Sequence, residues 1–206
     1  MGARTKVASR FFFLLGFVCC ATFARAQDLP PVVPITGTLL ELESFEGSVS
    51  GVTVDYAIYL PPGYAPDSER YPVIYHLHGF SARVTTHEFD PQIPPQFRCP
   101  ETSCHILPAV DAAIVSGQLP PLIMVFPKMG VGELWVESLT GDRQTESKLI
   151  GDLIPHIESN YSTIPDRRFR LLQGWSQGGW GASIYGLKYP DLLVTSQVVV
   201  YKAGTR

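Results

Sequence analysis

Residues 174–179 read Gly-Trp-Ser-Gln-Gly-Gly and lie between an apolar run, residues 169–172, and a run rich in small residues. The pattern Gly-x-Ser-x-Gly is typical of a nucleophile elbow, a strand-to-helix turn so sharp that its serine is strained and exposed. Side chains two positions before and after Ser176 would collide in that turn, and Gly174 and Gly178 remove the collision. The motif predicts that Ser176 is a nucleophile, whereas the alternative is a tight glycine turn with an exposed serine.

The residue after the serine has a predicted role of its own. Gln177 would be the first residue of the helix that leaves the turn, so its backbone N–H would lie at the positive end of the helix dipole. A donor at that position can stabilise an oxyanion that develops on a bound carbonyl. We therefore predict that Gln177 contributes to an oxyanion hole.

The N-terminus has the pattern of an export signal. Arg4, Lys6 and Arg10 precede the apolar residues 11–23, and Ala24-Arg25-Ala26 resembles a small-x-small cleavage site. A membrane anchor is the alternative, but about 13 apolar residues are too few to span a bilayer. We predict a signal peptide at residues 1–26, one domain at residues 27–206, and a secreted or periplasmic product without stable membrane insertion.

Charge and cysteine content narrow the possible ligands. Residues 1–26 contain four basic and no acidic residues, so their removal changes the net charge from −3 to −7, which argues against nucleic acid as a partner. Cys99 and Cys104 then remain as the only cysteine pair, and a disulfide between them is plausible in an oxidising compartment. A metal site that includes His105 is the alternative, but no second ligand cluster completes it. We predict no metal and no cofactor.

Hydrophobic periodicity predicts an α/β protein with a mostly parallel sheet that follows an antiparallel N-terminal hairpin. A long irregular segment, residues 81–104, interrupts this pattern and is typical of a functional or mobile loop. Within the helical pattern of residues 145–161, Pro155 predicts a kink or an early break. The predicted strands are residues 37–45, 52–60, 71–77, 122–126, 168–172 and 194–201, and the predicted helices are residues 107–116, 145–161 and 176–188.

Four segments carry a family resemblance: residues 59–64, 71–79, 153–161 and 168–190. In order and spacing they resemble the putative esterase family of α/β-hydrolases, which contains feruloyl and acetylxylan esterases, S-formylglutathione hydrolases and mycolyltransferases. The resemblance implies an α/β-hydrolase fold and an acyl-enzyme on Ser176, with the N–H groups of Gln177 and Phe80 as the oxyanion hole. It also implies a small-molecule or glycan ester as substrate. Trp135 is a candidate for the substrate pocket, with a packed aromatic as the alternative.

A serine nucleophile needs a base that is oriented by a carboxylate, and in this fold both follow the serine. No histidine follows Ser176, and the only acid after it is Asp191. The resemblance implies two further strands that carry the acid and the histidine, so we predict a chain truncated at its C-terminus, with the last strands missing. The two hypotheses are an exported serine ester hydrolase and a catalytically inactive binding protein or gene fragment.

Other residues could replace the missing base and acid. His87 and His105, in the long irregular segment, are the alternative bases. We predict packing roles for His76 and His78 and partial exposure for His156. The acids Asp142, Asp152 and Asp166 are predicted to be solvated or capping residues.

Overall fold

Six strands form one mixed sheet in the computed structural model of the protein, which describes residues 35–79, 106–128 and 134–198. The order across the sheet is β1-β2-β4-β3-β5-β6. The pairs β1–β2 and β2–β4 are antiparallel and all others are parallel, as the sequence predicts. The strands are β1 Thr38–Glu46, β2 Thr53–Leu60, β3 Val73–Leu77, β4 Ile123–Pro127, β5 Arg170–Trp175 and β6 Val194–Val198.

Helices cover both faces of this sheet. The α-helices are α1 Ile106–Val115, α2 Ile154–Asn160 and α3 Gln177–Lys188. Residues of α1 pack with β2 and β4 in one apolar cluster, and residues of α2 and α3 pack with β3 and β5 in the other. The central strand β4 is buried along its whole length, as expected for a strand with helices on both sides. No helix in the three described ranges is long and apolar enough to cross a membrane.

The helical segment before β5 changes type along its length. A π-helix, Ser147–Leu153, leads directly into α2, with Pro155 in the first turn of α2. Pro155 has no N–H to donate to the carbonyl four residues earlier, so a regular α-helix would lose a bond there. Instead, the N–H of Ile154 donates to the carbonyl of Leu149, five residues back. The predicted early break is wrong, because α2 continues through Pro155 to Asn160, and the predicted kink stays a prediction.

Of the two roles predicted for Asp152, the structure shows capping, because this carboxylate is buried rather than solvated and bonds to a turn. It accepts hydrogen bonds from the backbone N–H groups of Val49 (2.8 Å) and Ser50 (2.9 Å), in the turn that joins β1 to β2. Burial opposes its ionisation, but these donors outweigh burial and hold the pKa of Asp152 below its usual value. Asp152 thus fixes the N-terminal hairpin to the π-helix.

Both ends of β5 differ from their predictions. Residues before β5 form a 3₁₀ turn, Arg167–Phe169, so the strand begins at Arg170 and extends to Trp175. Asp166 caps this turn by accepting the N–H of Arg168 at 2.9 Å, one of the two roles predicted for it. Strand β6 is described as far as Val198. The predicted signal peptide and the loop of residues 81–104 lie outside the described residues.

Candidate active site

Ser176 has the backbone conformation that the elbow motif predicts. It directly follows the last residue of β5 and precedes the first residue of α3. Among the described residues it is the one non-glycine residue with a positive φ, with φ 54° and ψ −116°. This is a strained region for a residue with a Cβ atom. The Ser176 side chain is exposed and does not cap α3, so the hydroxyl is accessible.

The two elbow glycines allow the close packing that this turn requires. A Cβ atom on Gly174 would lie 2.2 Å from the carbonyl carbon of Gly178. A Cβ atom on Gly178 would lie 2.0 Å from the carbonyl oxygen of Leu77, the last residue of β3. Both contacts are with backbone atoms, which cannot rotate away as a side chain can. The first turn of α3 therefore packs directly on the end of β3.

The end of β3 forms the second part of the site. Leu77 pairs in register with Gly174, so His78 and Gly79 emerge at the same sheet edge as Ser176. Ligands of open α/β sheets bind at this carboxyl edge. The N–H of Gln177 lies at the N-terminus of α3, the positive end of the helix dipole. Phe80, the other predicted oxyanion donor, lies outside the described residues.

Trp135 is fully buried next to this edge. Its indole Nε1–H donates to the carbonyl oxygen of His78 at 2.9 Å, and the two rings pack edge to face with centroids 5.0 Å apart. On its other side Trp135 contacts α3, because a Cβ atom on Gly181 would lie 2.3 Å from the Trp135 Cβ. These contacts match the packed alternative given for Trp135, and its contact with a substrate stays a prediction.

The three described histidines are all engaged within the fold. His76 is half-buried, and burial together with the neighbouring His78 lowers its pKa to about 4. The Nδ1 atom of His78 lies 2.8 Å from the carbonyl oxygen of Gly79. His156 stacks on Phe45 with ring centroids 3.7 Å apart, and its Nε2 lies 3.1 Å from the hydroxyl of Tyr56. The alternative bases His87 and His105 lie outside the described residues, as do Cys99 and Cys104.

The remaining candidate acids lie on the surface. Asp142 accepts hydrogen bonds from the hydroxyls of Ser138 and Thr140, which lower the pKa of its carboxyl. Asp191 is exposed just after α3. Within the described part of the chain, no group of three histidine, cysteine or acidic side chains is placed to hold a metal ion.

Comparisons with known proteins agree on one enzyme class. The family model described as "Putative esterase" matches residues 49–198. Esterase Rv1288 of Mycobacterium tuberculosis is 30% identical over 148 residues, which are 70% of this chain and 28% of that protein. An endo-1,4-beta-xylanase/feruloyl esterase of Xylanibacter ruminicola is 29% identical over 147 residues, which are 66% of this chain and 18% of that protein. The chain therefore spans less than a third of the length of these curated relatives.

Solved structures with the same fold include a ferulic acid esterase, at 24% identity and a TM-score of 0.60. The alignment covers 78% of this chain and 58% of the chain of that esterase. Another is an S-formylglutathione hydrolase from Agrobacterium tumefaciens, at 16% identity and a TM-score of 0.51. The alignment covers 80% of this chain and 58% of the chain of that hydrolase. At these identities the likeness concerns the fold alone.

Proposed function

Since the chain belongs to the family described as "Putative esterase" and has the α/β-hydrolase fold, we propose that it acts on carboxylic esters with Ser176 as the nucleophile. The observation that carries the proposal is the conformation of Ser176. A non-glycine residue at φ 54°, between a parallel strand and a glycine-rich helix, persists only where the surrounding structure holds it there. Such strain is concentrated at functional sites.

In the proposed reaction the Ser176 hydroxyl oxygen attacks the ester carbonyl and forms a tetrahedral intermediate. The N–H groups of Gln177 and Phe80 would stabilise the oxyanion, and loss of one such donor costs about 10²–10³ in turnover. Collapse of the intermediate expels the alcohol and leaves an acyl-enzyme. Water then attacks the acyl carbonyl, releases the acid and regenerates the serine.

The serine proton needs an acceptor in the first step. The described histidines are held by contacts within the fold. We propose that a histidine accepts this proton, with His87 and His105 as the alternatives within this sequence. A histidine base predicts that the acylation rate increases with pH as the imidazole loses its proton.

We propose an ester of a hydroxycinnamic acid with a carbohydrate as the substrate class. Support comes from the relatives, which include a feruloyl esterase and a ferulic acid esterase. The export predicted from residues 1–26 supports a substrate that is located outside the cytoplasm. Location in the periplasm or outside the cell is part of the proposal.

The experiment compares the purified chain with Ser176→Ala and Ser183→Ala, using p-nitrophenyl acetate and methyl ferulate as substrates. Ser183 lies on the same helix and serves as the matched control. We expect turnover above the buffer blank for the parent and for Ser183→Ala, and none for Ser176→Ala. Mass spectrometry should locate an acetyl adduct on Ser176. Equal rates for the parent and Ser176→Ala would refute the proposal.

A second candidate function, a binding protein without turnover, is favoured by the packing of the three described histidines. It predicts that methyl ferulate quenches tryptophan fluorescence in a saturable manner while no ferulate is released. Release of ferulate that depends on Ser176 would exclude it.

A further inference from the structure

We infer that Trp135 is a positioning residue that holds two backbone elements of the site in fixed relation. These are the oxyanion turn, defined as His78 and Gly79, and the helix α3 that begins next to Ser176. The inference rests on the proposed function, because it assigns Trp135 a part in forming the oxyanion hole.

The first step concerns the carbonyl groups of the oxyanion turn. The indole N–H of Trp135 holds the carbonyl of His78, and the imidazole of His78 contacts the carbonyl of Gly79 at 2.8 Å. Because a peptide group is planar, a fixed carbonyl also fixes the direction of the N–H in the same group. The carbonyl of Gly79 belongs to the peptide group that carries the predicted donor N–H of Phe80.

The second step concerns the freedom of this turn without such contacts. Gly79 has no Cβ atom, so its backbone has access to many conformations. A Cβ atom there would lie 2.5 Å from the ring of Trp175, so a larger residue would require that ring to move. The turn therefore depends on neighbouring side chains for its orientation. Trp135 supplies a hydrogen bond to His78 and a ring contact that orients the His78 imidazole.

The third step connects the turn to the nucleophile. Trp135 packs against Gly181 of α3 while it bonds to His78 at the end of β3. A movement of α3 relative to β3 would have to displace this buried indole. The segment that carries Trp135 is itself anchored, because Glu137 accepts hydrogen bonds from the N–H of Glu146 (3.0 Å) and the hydroxyl of Ser147 (2.9 Å). Trp135 thus acts through the backbone.

The test uses Trp135→Phe, which keeps an aromatic ring and removes the N–H donor. Trp180→Phe is the matched control, because Trp180 lies on α3 and is 49% exposed. Phosphonylation of Ser176 by an alkyl fluorophosphonate is followed over a range of reagent concentrations. Each rate is normalised to the fraction of the protein that has reacted at the end of the reaction. Hydrogen exchange is measured in parallel on the peptide that contains His78 and Gly79.

We expect Trp135→Phe to lower the maximal phosphonylation rate by about 10-fold to 100-fold at an unchanged half-saturating concentration, as expected when a site is displaced by about 1 Å. Exchange at His78 and Gly79 should increase, while Trp180→Phe should match the parent in both measurements. A role in stability alone would change the reactive fraction but not the normalised rate. If Trp135→Phe does not fold, 3-benzothienylalanine at position 135 keeps the shape of the ring and removes the N–H.

The inference would be overturned if Trp135→Phe had the same phosphonylation rate and the same hydrogen exchange as the parent. The proposed function would remain intact in that case if the parent forms a serine adduct that Ser176→Ala does not form. If the parent forms no adduct on Ser176, the proposed function fails for this chain. The exchange measurement then decides the positioning role by itself, because it requires no reaction.

Discussion

Replacing Ser176 with glycine should leave the protein more stable than replacing it with alanine, which reverses the usual order of these residues. At φ 54° and ψ −116° a residue with a Cβ atom is strained by about 1–3 kcal/mol. Glycine releases this strain, but it also increases the conformational entropy of the unfolded chain, which lowers the free energy of unfolding by about 0.4–1 kcal/mol. Alanine removes the hydroxyl but keeps the Cβ atom and the strain. We expect the glycine variant to be favoured by about 1 kcal/mol.

The free energy of unfolding is measured by urea denaturation, and a 1 kcal/mol difference corresponds to about 2–4 °C in Tm for a domain of this size. Ser183, in the interior of α3, provides the matched control. Both replacements there lose the hydrogen bond from its hydroxyl to the carbonyl of Gly179 at 2.7 Å. Alanine should be the more stable variant there by about 1 kcal/mol, because glycine is a poor helix former. The reasoning about strain is refuted if alanine is the more stable replacement at both positions.

Gly178→Ala should lower the free energy of unfolding by about 2 kcal/mol even though alanine favours helix, because its Cβ would lie 2.0 Å from the carbonyl oxygen of Leu77. Calorimetry measures this, and an unchanged Tm would contradict it. Asp152→Asn should reduce the dependence of the free energy of unfolding on pH below about pH 4. The lowered pKa of Asp152 contributes stability that is present above its unfolded pKa and is lost as pH falls. Acid unfolding followed by circular dichroism gives the slope, which should stay unchanged if the carboxylate contributes nothing. His76→Gln should reduce the loss of stability between pH 6.5 and 4, because His76 takes up its proton at about pH 4 in the folded chain and at 6.5 when unfolded. Urea midpoints across that range provide the check, and parallel curves for parent and variant would argue against it.

Features that depend on neighbouring residues could be predicted from the sequence. The alternation in residues 52–60 predicts β2, and the apolar run before His78 predicts the buried strand β3. The elbow was predictable for the same reason, because Gly174, Ser176 and Gly178 lie within a single turn. Local sequence determines local backbone geometry, and the structure agrees with these predictions.

Contacts between residues far apart in sequence could not be predicted in this way. Asp152 accepts hydrogen bonds from a turn about one hundred residues earlier, and no feature near Asp152 indicates those donors. The usual preference of aspartate for the surface suggested a solvated side chain, whereas the predicted capping role is the one that applies. Trp135 bonds to His78 across 57 residues, so the sequence could suggest a buried aromatic but not its partner. The small residue at Gly181 was the one available signal for a large neighbour.

At the active site, the local backbone geometry depends on contacts between residues that are far apart in sequence. Strain at Ser176 is a local property, but it persists only if the ends of β5 and α3 cannot move apart to relieve it. The contact of Gly178 with Leu77 blocks movement of α3 toward β3, and the burial of Trp135 between His78 and α3 opposes other displacements. The elbow sequence therefore specifies a conformation that a tryptophan outside the motif helps to maintain. For this reason Gly-x-Ser-x-Gly is a weak indicator by itself and a strong one where the fold supplies such support.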